Sequence, residues 1–193
     1  LLMFVIVFID LLGFGIVLPL LPAYADKYLT PVLGESSQLS GLVLGLLMSS
    51  FSLMQFLFAP AWGRLSDRIG RRPVLLVGLA GSVVAYAVFG IASDLSPASA
   101  AVALGLLFLS RAGAGIAGAT ISTAQAVIAD CTPPEKRKLG MALIGAAFGI
   151  GFTFGPILGF LALLLFPDRL GITGWLASGL SAVAFLLALA KLP

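Results

Sequence analysis

No histidine and no asparagine occur anywhere in this chain, cysteine occurs once, and charged residues make up only 10% of it. There is no HExxH, no CxxC cluster and no GxxxxGK(S/T) loop. The last absence argues against an ATP-driven pump, and no metal, organic cofactor or enzymatic centre is expected. The lone Cys131 has no partner for an intrachain disulfide and reads as a small residue at a helix end rather than a redox centre. Gly113 to Gly118, GAGIAG, fits the GxGxxG spacing of dinucleotide sites. No strand precedes it and it sits inside a long apolar run, so the match is spurious.

What is present is apolar. The 193 residues are 60% hydrophobic, with a mean hydropathy of +1.15, more than a soluble core of this size requires. Six runs stand out, over residues 2–25, 40–62, 74–93, 98–129, 139–166 and 172–192, numbered here spans 1 to 6. Each is long enough to cross about 30 Å of hydrocarbon at about 1.5 Å per residue. Backbone amides cannot stay unpaired in lipid, so runs of this length without strict alternation predict helices. The first run lacks a basic leader region and carries Gly and Pro throughout, unlike a signal peptide. It also starts without methionine, and the chain is expected to be a piece of a longer protein.

The net charge of +3 is not a nucleic-acid signal, because the basic residues gather in two loops. Arg64, Arg68, Arg71 and Arg72 follow span 2, Lys136, Arg137 and Lys138 follow span 4, and Lys191 closes span 6; the other loops hold only Lys27 and Arg169. The positive-inside rule then puts both termini in the cytoplasm. A shift of 101 residues carries Asp10 onto Arg111 and Asp67-Arg68-Ile69-Gly70 onto Asp168-Arg169-Leu170-Gly171. The two short motifs fall on opposite sides of the membrane, as expected of an inverted 3+3 repeat.

Several positions carry chemistry. Asp10 is a carboxylate within span 1, costly in hydrocarbon unless it faces the bundle or water. It is a proton-coupling candidate, and hydration near the span end or capping of a neighbouring helix stands as the alternative. The loop GRLSDRIGRRP, Gly63 to Pro73, contains two glycines and an aspartate that a merely basic loop does not need. Gly63, Asp67, Arg68, Gly70, Arg71 and Arg72 are therefore expected to form a conformational latch. In it Asp67 is expected to accept backbone amides at a helix N-terminus, while Arg71 bridges it to Asp130. Asp130 is also a second candidate for proton coupling.

Arg111, Gly115 and Ala119 share one face of span 4. Arg111 is either a clamp on backbone carbonyls or a modulator of a carboxylate's proton affinity. In span 5, Gly151, Gly155 and Gly159 form a close-packing stripe and Pro156 a bending point, with dimerisation as the other use of such a stripe. Gln55 and Ser52, with Ser49 and Ser50, are cavity candidates or packing residues, and Arg111 joins them as a tentative cavity residue.

GRLSDRIGRRP resembles motif A of the major facilitator superfamily, DLLGFGIVLPLLP its helix 1 motif, RAGAGIAGA its motif B, and GIGFTFGPILGF its motif C, although Phe160 follows Gly159 where motif C usually has a second glycine. With AVIADCT ahead of the next loop, the chain is similar to the tetracycline and multidrug efflux branch. The resemblance implies an all-α membrane protein, the N-terminal six-helix half of a twelve-helix fold. Its C-terminal half is the partner that Asp67 would cap. It further implies that Arg111 takes part in proton transfer and that spans 1, 2, 4 and 5 line the cavity. The expected function is proton-coupled efflux of small hydrophobic or amphipathic compounds such as drugs, powered by the proton gradient across a bacterial inner membrane. An importer of a sugar, ion or metabolite, or a self-assembling six-helix half-transporter, is the alternative.

Overall fold

The computed structural model describes residues 2–34, 38–131 and 133–192, and the side chains of Leu2, Ala25, Gln38 and Cys131 lie outside what is described. Among the described residues there are helices and no strands. Span 1 consists of α1 (Leu2–Val17), a 3-10 turn (Leu18–Leu20) and α2 (Leu21–Leu33). The turn falls where Pro19 and Pro22, each lacking an amide hydrogen, open two of the next segments. Span 2 is α3 (Gln38–Ile69) and span 3 is α4 (Arg71–Asp94). Span 4 divides into α5 (Ala100–Gly118) and α6 (Ile121–Cys131), preceded by a short 3-10 turn (Pro97–Ser99). Spans 5 and 6 are α7 (Pro134–Leu165) and α8 (Ile172–Lys191).

All six are long and apolar enough to cross a membrane. Several outrun their apolar stretches: α3 continues through Arg64, Asp67 and Arg68, and span 1 continues eight residues past Ala25 to Leu33. Hydropathy marks the hydrocarbon, whereas backbone hydrogen bonding carries a helix on into the polar zone. The loop after span 2 thereby shrinks to Gly70, whose φ of 98° suits a residue without Cβ. Gly63, expected at a turn, lies instead within α3.

α1 lies against α7 and α8, α4 against α5 and α8, and α3 against α5. Two apolar clusters result. One, toward the end bearing the arginine loop, gathers Ile6, Leu11, Leu75, Leu79, Ile144 and Ala184. The other, toward the opposite end, gathers Val17, Tyr24, Tyr28, Phe89, Leu107 and Ala177. Along the sequence of each helix, Ser82, Ser181 and the break between α5 and α6 fall between the two clusters, while Asp10 lies just before Leu11 at the edge of the first. A polar layer thus divides an otherwise apolar bundle. Only 11% of the apolar stretch of span 2 and 22% of span 5 is buried, against 50% for spans 1, 3 and 4.

The end opposite the arginine loop is tied by side chains from α2. The single Tyr28 hydroxyl hydrogen has three carbonyls to serve, Ala92 and Leu95 at 2.8 Å and Ser93 at 3.0 Å, while Lys27 Nζ donates to Ser93 and Leu95 at 3.1 Å each. Both groups meet the orphan carbonyls at the C-terminus of α4, where a cation is also favoured by the helix dipole. The Asp94 carboxylate accepts the Gly171 amide at 2.8 Å, joining α4 to the start of α8. Tyr28→Phe is expected to lower stability by about 1 kcal/mol, since Lys27 still covers two of the three carbonyls. An unaltered melting temperature in detergent would mean that Lys27 holds this end alone.

Candidate functional site

Between the two clusters lies a cavity of about 220 Å³. Asp10 and Phe14 of α1, Phe51, Ser52 and Gln55 of α3, and Ser82 and Tyr86 of α4 form most of its wall, and Gly118, Phe148 and Phe152 close it.

Asp10 is partly accessible, and Ser181 Oγ donates to its Oδ1 at 2.8 Å. Ser82 stands within hydrogen-bonding reach of the same carboxylate. The alternatives for Asp10 narrow accordingly: it faces the interior, held by spans 3 and 6. It also borders a second cavity of about 20 Å³ with Thr120 and Ile121, room for about one water molecule. That second cavity is lined by Met3, Ile6, Leu75 and Ala124, so it opens toward the arginine-loop end.

Arg111 does not line the main cavity. It is 1% exposed and lies behind the wall, with its guanidinium carbon 5.3 Å from the centre of the Phe14 ring and 4.8 Å from that of Phe51. None of Nε, Nη1 or Nη2 has a hydrogen-bond partner among the described residues, so of the two alternatives the clamp on carbonyls is not formed by them. Tyr86, packed against Gly13 of α1, is near enough to Asp10 and Arg111 to feel both charges.

The interruption in span 4 borders the same cavity. Thr120 Oγ1 donates to the Ala117 carbonyl at 2.9 Å, Trp62 Nε1 to Ile116 at 2.8 Å, and Gln55 Nε2 to Gly118 at 3.2 Å. Side chains of α3 thereby satisfy carbonyls around the interruption. Gln55 therefore both lines the cavity and braces the break, while Ser52 sits at the exposed edge.

The latch residues divide. Arg71 Nη1 lies 2.6 Å from Asp67 Oδ1 and Nε 3.2 Å from Asp130 Oδ2, and Nη1 also donates to Ser66 Oγ at 2.7 Å. Arg72 donates to the Leu189 carbonyl at 2.9 Å, reaching the last turn of α8. Arg68 is exposed. The Asp67 carboxylate is engaged by Arg71, and the helix it is expected to cap belongs to the C-terminal half. Asp130 belongs to this exposed cluster and not to the cavity, so it does not join Asp10. These ion pairs are solvated and each is worth roughly 0.2–1 kcal/mol.

On α7 the stripe of Gly151, Gly155 and Gly159 faces α1, with Leu11, Gly15 and Ile16 opposite. The helix runs unbroken through Pro156, whereas spans 1 and 4 are interrupted. Sequence reasoning missed Tyr86, Ser82 and Ser181. Ser82 and Tyr86 are four residues apart on one face of span 3, and that spacing was the available signal.

Over residues 3–193 the chain matches the family model described as Major Facilitator Superfamily. It is 41% identical over 155 residues to the class E tetracycline resistance protein of Escherichia coli, covering 80% of this chain and 35% of that one. To major facilitator superfamily domain-containing protein 10 of Bos taurus it is 38% identical over 171 residues, covering 78% and 36%. The solved structure of the human organic anion transporter MFSD10 (TETRAN) matches all of this chain with a TM-score of 0.78 and 33% identity, over 46% of its own length. The chain thus spans about a third of the length of these curated relatives. Family match and helical architecture together make this chain a member of the major facilitator superfamily.

Proposed function

We propose that the chain forms the N-terminal half of a proton-coupled exporter of small hydrophobic or amphipathic compounds, working by alternating access in a bacterial inner membrane with both termini cytoplasmic. The observation that carries this reading is Asp10, a carboxylate inside span 1 that borders the aromatic cavity on one side and the water-sized cavity on the other. A mid-span carboxylate costs roughly 2.5–3.5 kcal/mol on insertion scales, so it is kept for a task. Protons moving inward supply about 2.3 kcal/mol per 100 mV, which a carboxylate reached from each side in turn can harvest.

The cavity of about 220 Å³ is smaller than the roughly 300–1,000 Å³ of a complete small-molecule site. A second six-helix half completes it, docking on the little-buried faces of α3 and α7, where Phe56, Leu57, Phe154 and Phe160 are exposed. Relatives that confer tetracycline resistance give the cargo its chemical class. Asp67, Arg71 and Asp130 serve as the latch, closed while the arginine-loop side is sealed, and Arg111 tunes proton binding at Asp10.

Inside-out vesicles carrying the complete protein test this directly. An imposed gradient, acid inside and without ATP, is expected to drive tetracycline accumulation that a protonophore abolishes. Accumulation that survives the protonophore, or that requires the opposite gradient, would replace export by another mode of transport.

A further inference from the structure

We propose that Thr120 and Thr123 position the water molecules by which a proton leaves Asp10 toward the arginine-loop side, along the face of α6 that leads to Asp130. The proposal rests on the reading that Asp10 carries the coupled proton, and it adds the route that this proton takes.

Two independent observations point to water on this face. The first is the cavity of about 20 Å³ that Asp10 shares with Thr120, which has room for one water molecule and offers it a polar group from each of two spans. An ionised carboxylate has about four acceptor positions. Ser181 fills one of them and Ser82 stands within reach of another, so capacity remains for a water. Thr120 gives its hydroxyl hydrogen to the Ala117 carbonyl, which leaves the oxygen's lone pairs to accept from that water. One molecule thus bridges Asp10 and Thr120.

The second observation is Thr123, which is 1% exposed and whose Oγ1 has no hydrogen-bond partner among the described residues. A buried hydroxyl left unpaired is costly, and an internal water is the usual partner where no protein group serves. The Thr120 carbonyl accepts the Ala124 amide at 3.0 Å, so the spiral of α6 starts at Thr120 itself. Thr120, Thr123, Val127 and Asp130 then fall at i, i+3, i+7 and i+10, on one face. The two threonines are neighbours there, about 5–6 Å apart between Cβ atoms. Asp130 is held by Arg71, and the half-buried Val127 is the apolar step between the threonines and the latch. With the ion pairs formed, Val127 separates the waters from the arginine-loop side; when the pairs part, solvent passes it.

Only Asp10 changes its protonation state in the transfer. Its O–H bond breaks as the bridging water takes that proton, this water passes another of its protons to the water at Thr123, and that one delivers a proton to solvent. Asp10 is left as the carboxylate. Both threonines keep their own hydrogens and act as positioning residues.

The complete protein in proteoliposomes tests the route with tetracycline, comparing gradient-driven net transport with exchange of labelled for unlabelled compound at uniform pH. Exchange moves no net protons, so a packing defect slows both processes and a broken route slows net transport selectively. Thr120→Val keeps the branched volume that sits against Gly78, and it is expected to lower the ratio of net transport to exchange about tenfold. Thr123→Val should lower it several-fold, and Thr120→Ser should restore it. An unchanged ratio in either valine variant overturns the proposal, and so does a serine variant as impaired as the valine. Radiolytic labelling needs no variant. Met3, which lines the small cavity and is 8% exposed, should be oxidised by radicals formed from the enclosed water at doses that oxidise the exposed Met141; a silent Met3 overturns the proposal. Net transport by the unaltered protein that ignores the proton gradient fails the export reading itself, whereas gradient-driven transport with an unchanged ratio fails the route alone.

Discussion

Asp10→Asn in the complete protein is expected to reduce gradient-driven accumulation to the level of vesicles lacking the transporter, while the protein itself becomes more stable. The two effects share one cause. Asparagine keeps the volume and the oxygen that accepts from Ser181 Oγ, so the tie between α1 and α8 survives. What disappears is the ionisable group, and with it the cost of holding a carboxylate in the bundle, roughly 2.5–3.5 kcal/mol on insertion scales. Part of that cost is recovered as a higher melting temperature in detergent, by an amount equivalent to about 1–2 kcal/mol. Asp10→Ala is a poorer test because it also strands the Ser181 hydroxyl. Coupled accumulation that continues in the asparagine variant would move the protonation site to another residue.

The sequence displays its membrane character in the open. Long apolar runs and loops rich in one sign of charge are local features, and hydropathy reads them without reference to any partner. Helix ends are less visible, since α3 goes on as a helix through Arg64, Asp67 and Arg68 long after its text turns polar. The site was only half legible. Asp10 and Arg111 stand out because charge in an apolar run is rare, and Arg71 with Asp130 because both are charged, one opening α4 and the other near the end of α6.

Tyr86, Ser82 and Ser181 are unremarkable letters in spans 3 and 6. They acquire meaning only when packing sets them around Asp10. The break in span 4 was hidden for a similar reason. Its residues, GIAGAT, read as a small-residue packing stripe, whereas the carbonyls around the break depend on Trp62 and Gln55 from a different helix.

That break has a mechanical consequence on the proposed reading. α6 begins at Ile121 on the cavity wall and carries Asp130 near its far end, a rod about 16 Å long at 1.5 Å per residue. Movement at Thr120 is therefore carried to the Arg71 ion pairs. Those pairs are individually weak, so they can part and re-form within a transport cycle, as a latch requires.

The crossing of α1 and α7 should tolerate far less. A Cβ on Gly155 would stand 2.5 Å from the Gly15 carbonyl carbon, 2.6 Å from Gly15 Cα and 2.9 Å from the Ile16 nitrogen. All three are backbone atoms, which no side-chain rotation can move aside. Gly155→Ala must therefore push two whole helices apart, opening the contacts along the stripe where lipid-embedded helices gain their packing energy. A loss at the upper end of the 1–3 kcal/mol typical of overpacked cores is expected, and a valine or leucine there should prevent assembly. Gly179→Ala supplies the comparison: it makes the same chemical change in the interior of α8, where nothing lies within 4 Å of the new methyl. Its melting temperature should hold or rise slightly, because alanine is the better helix former. If the two alanine variants melt together, α1 and α7 do not touch backbone to backbone, and the wall that positions Asp10 and Phe14 is built in some other way.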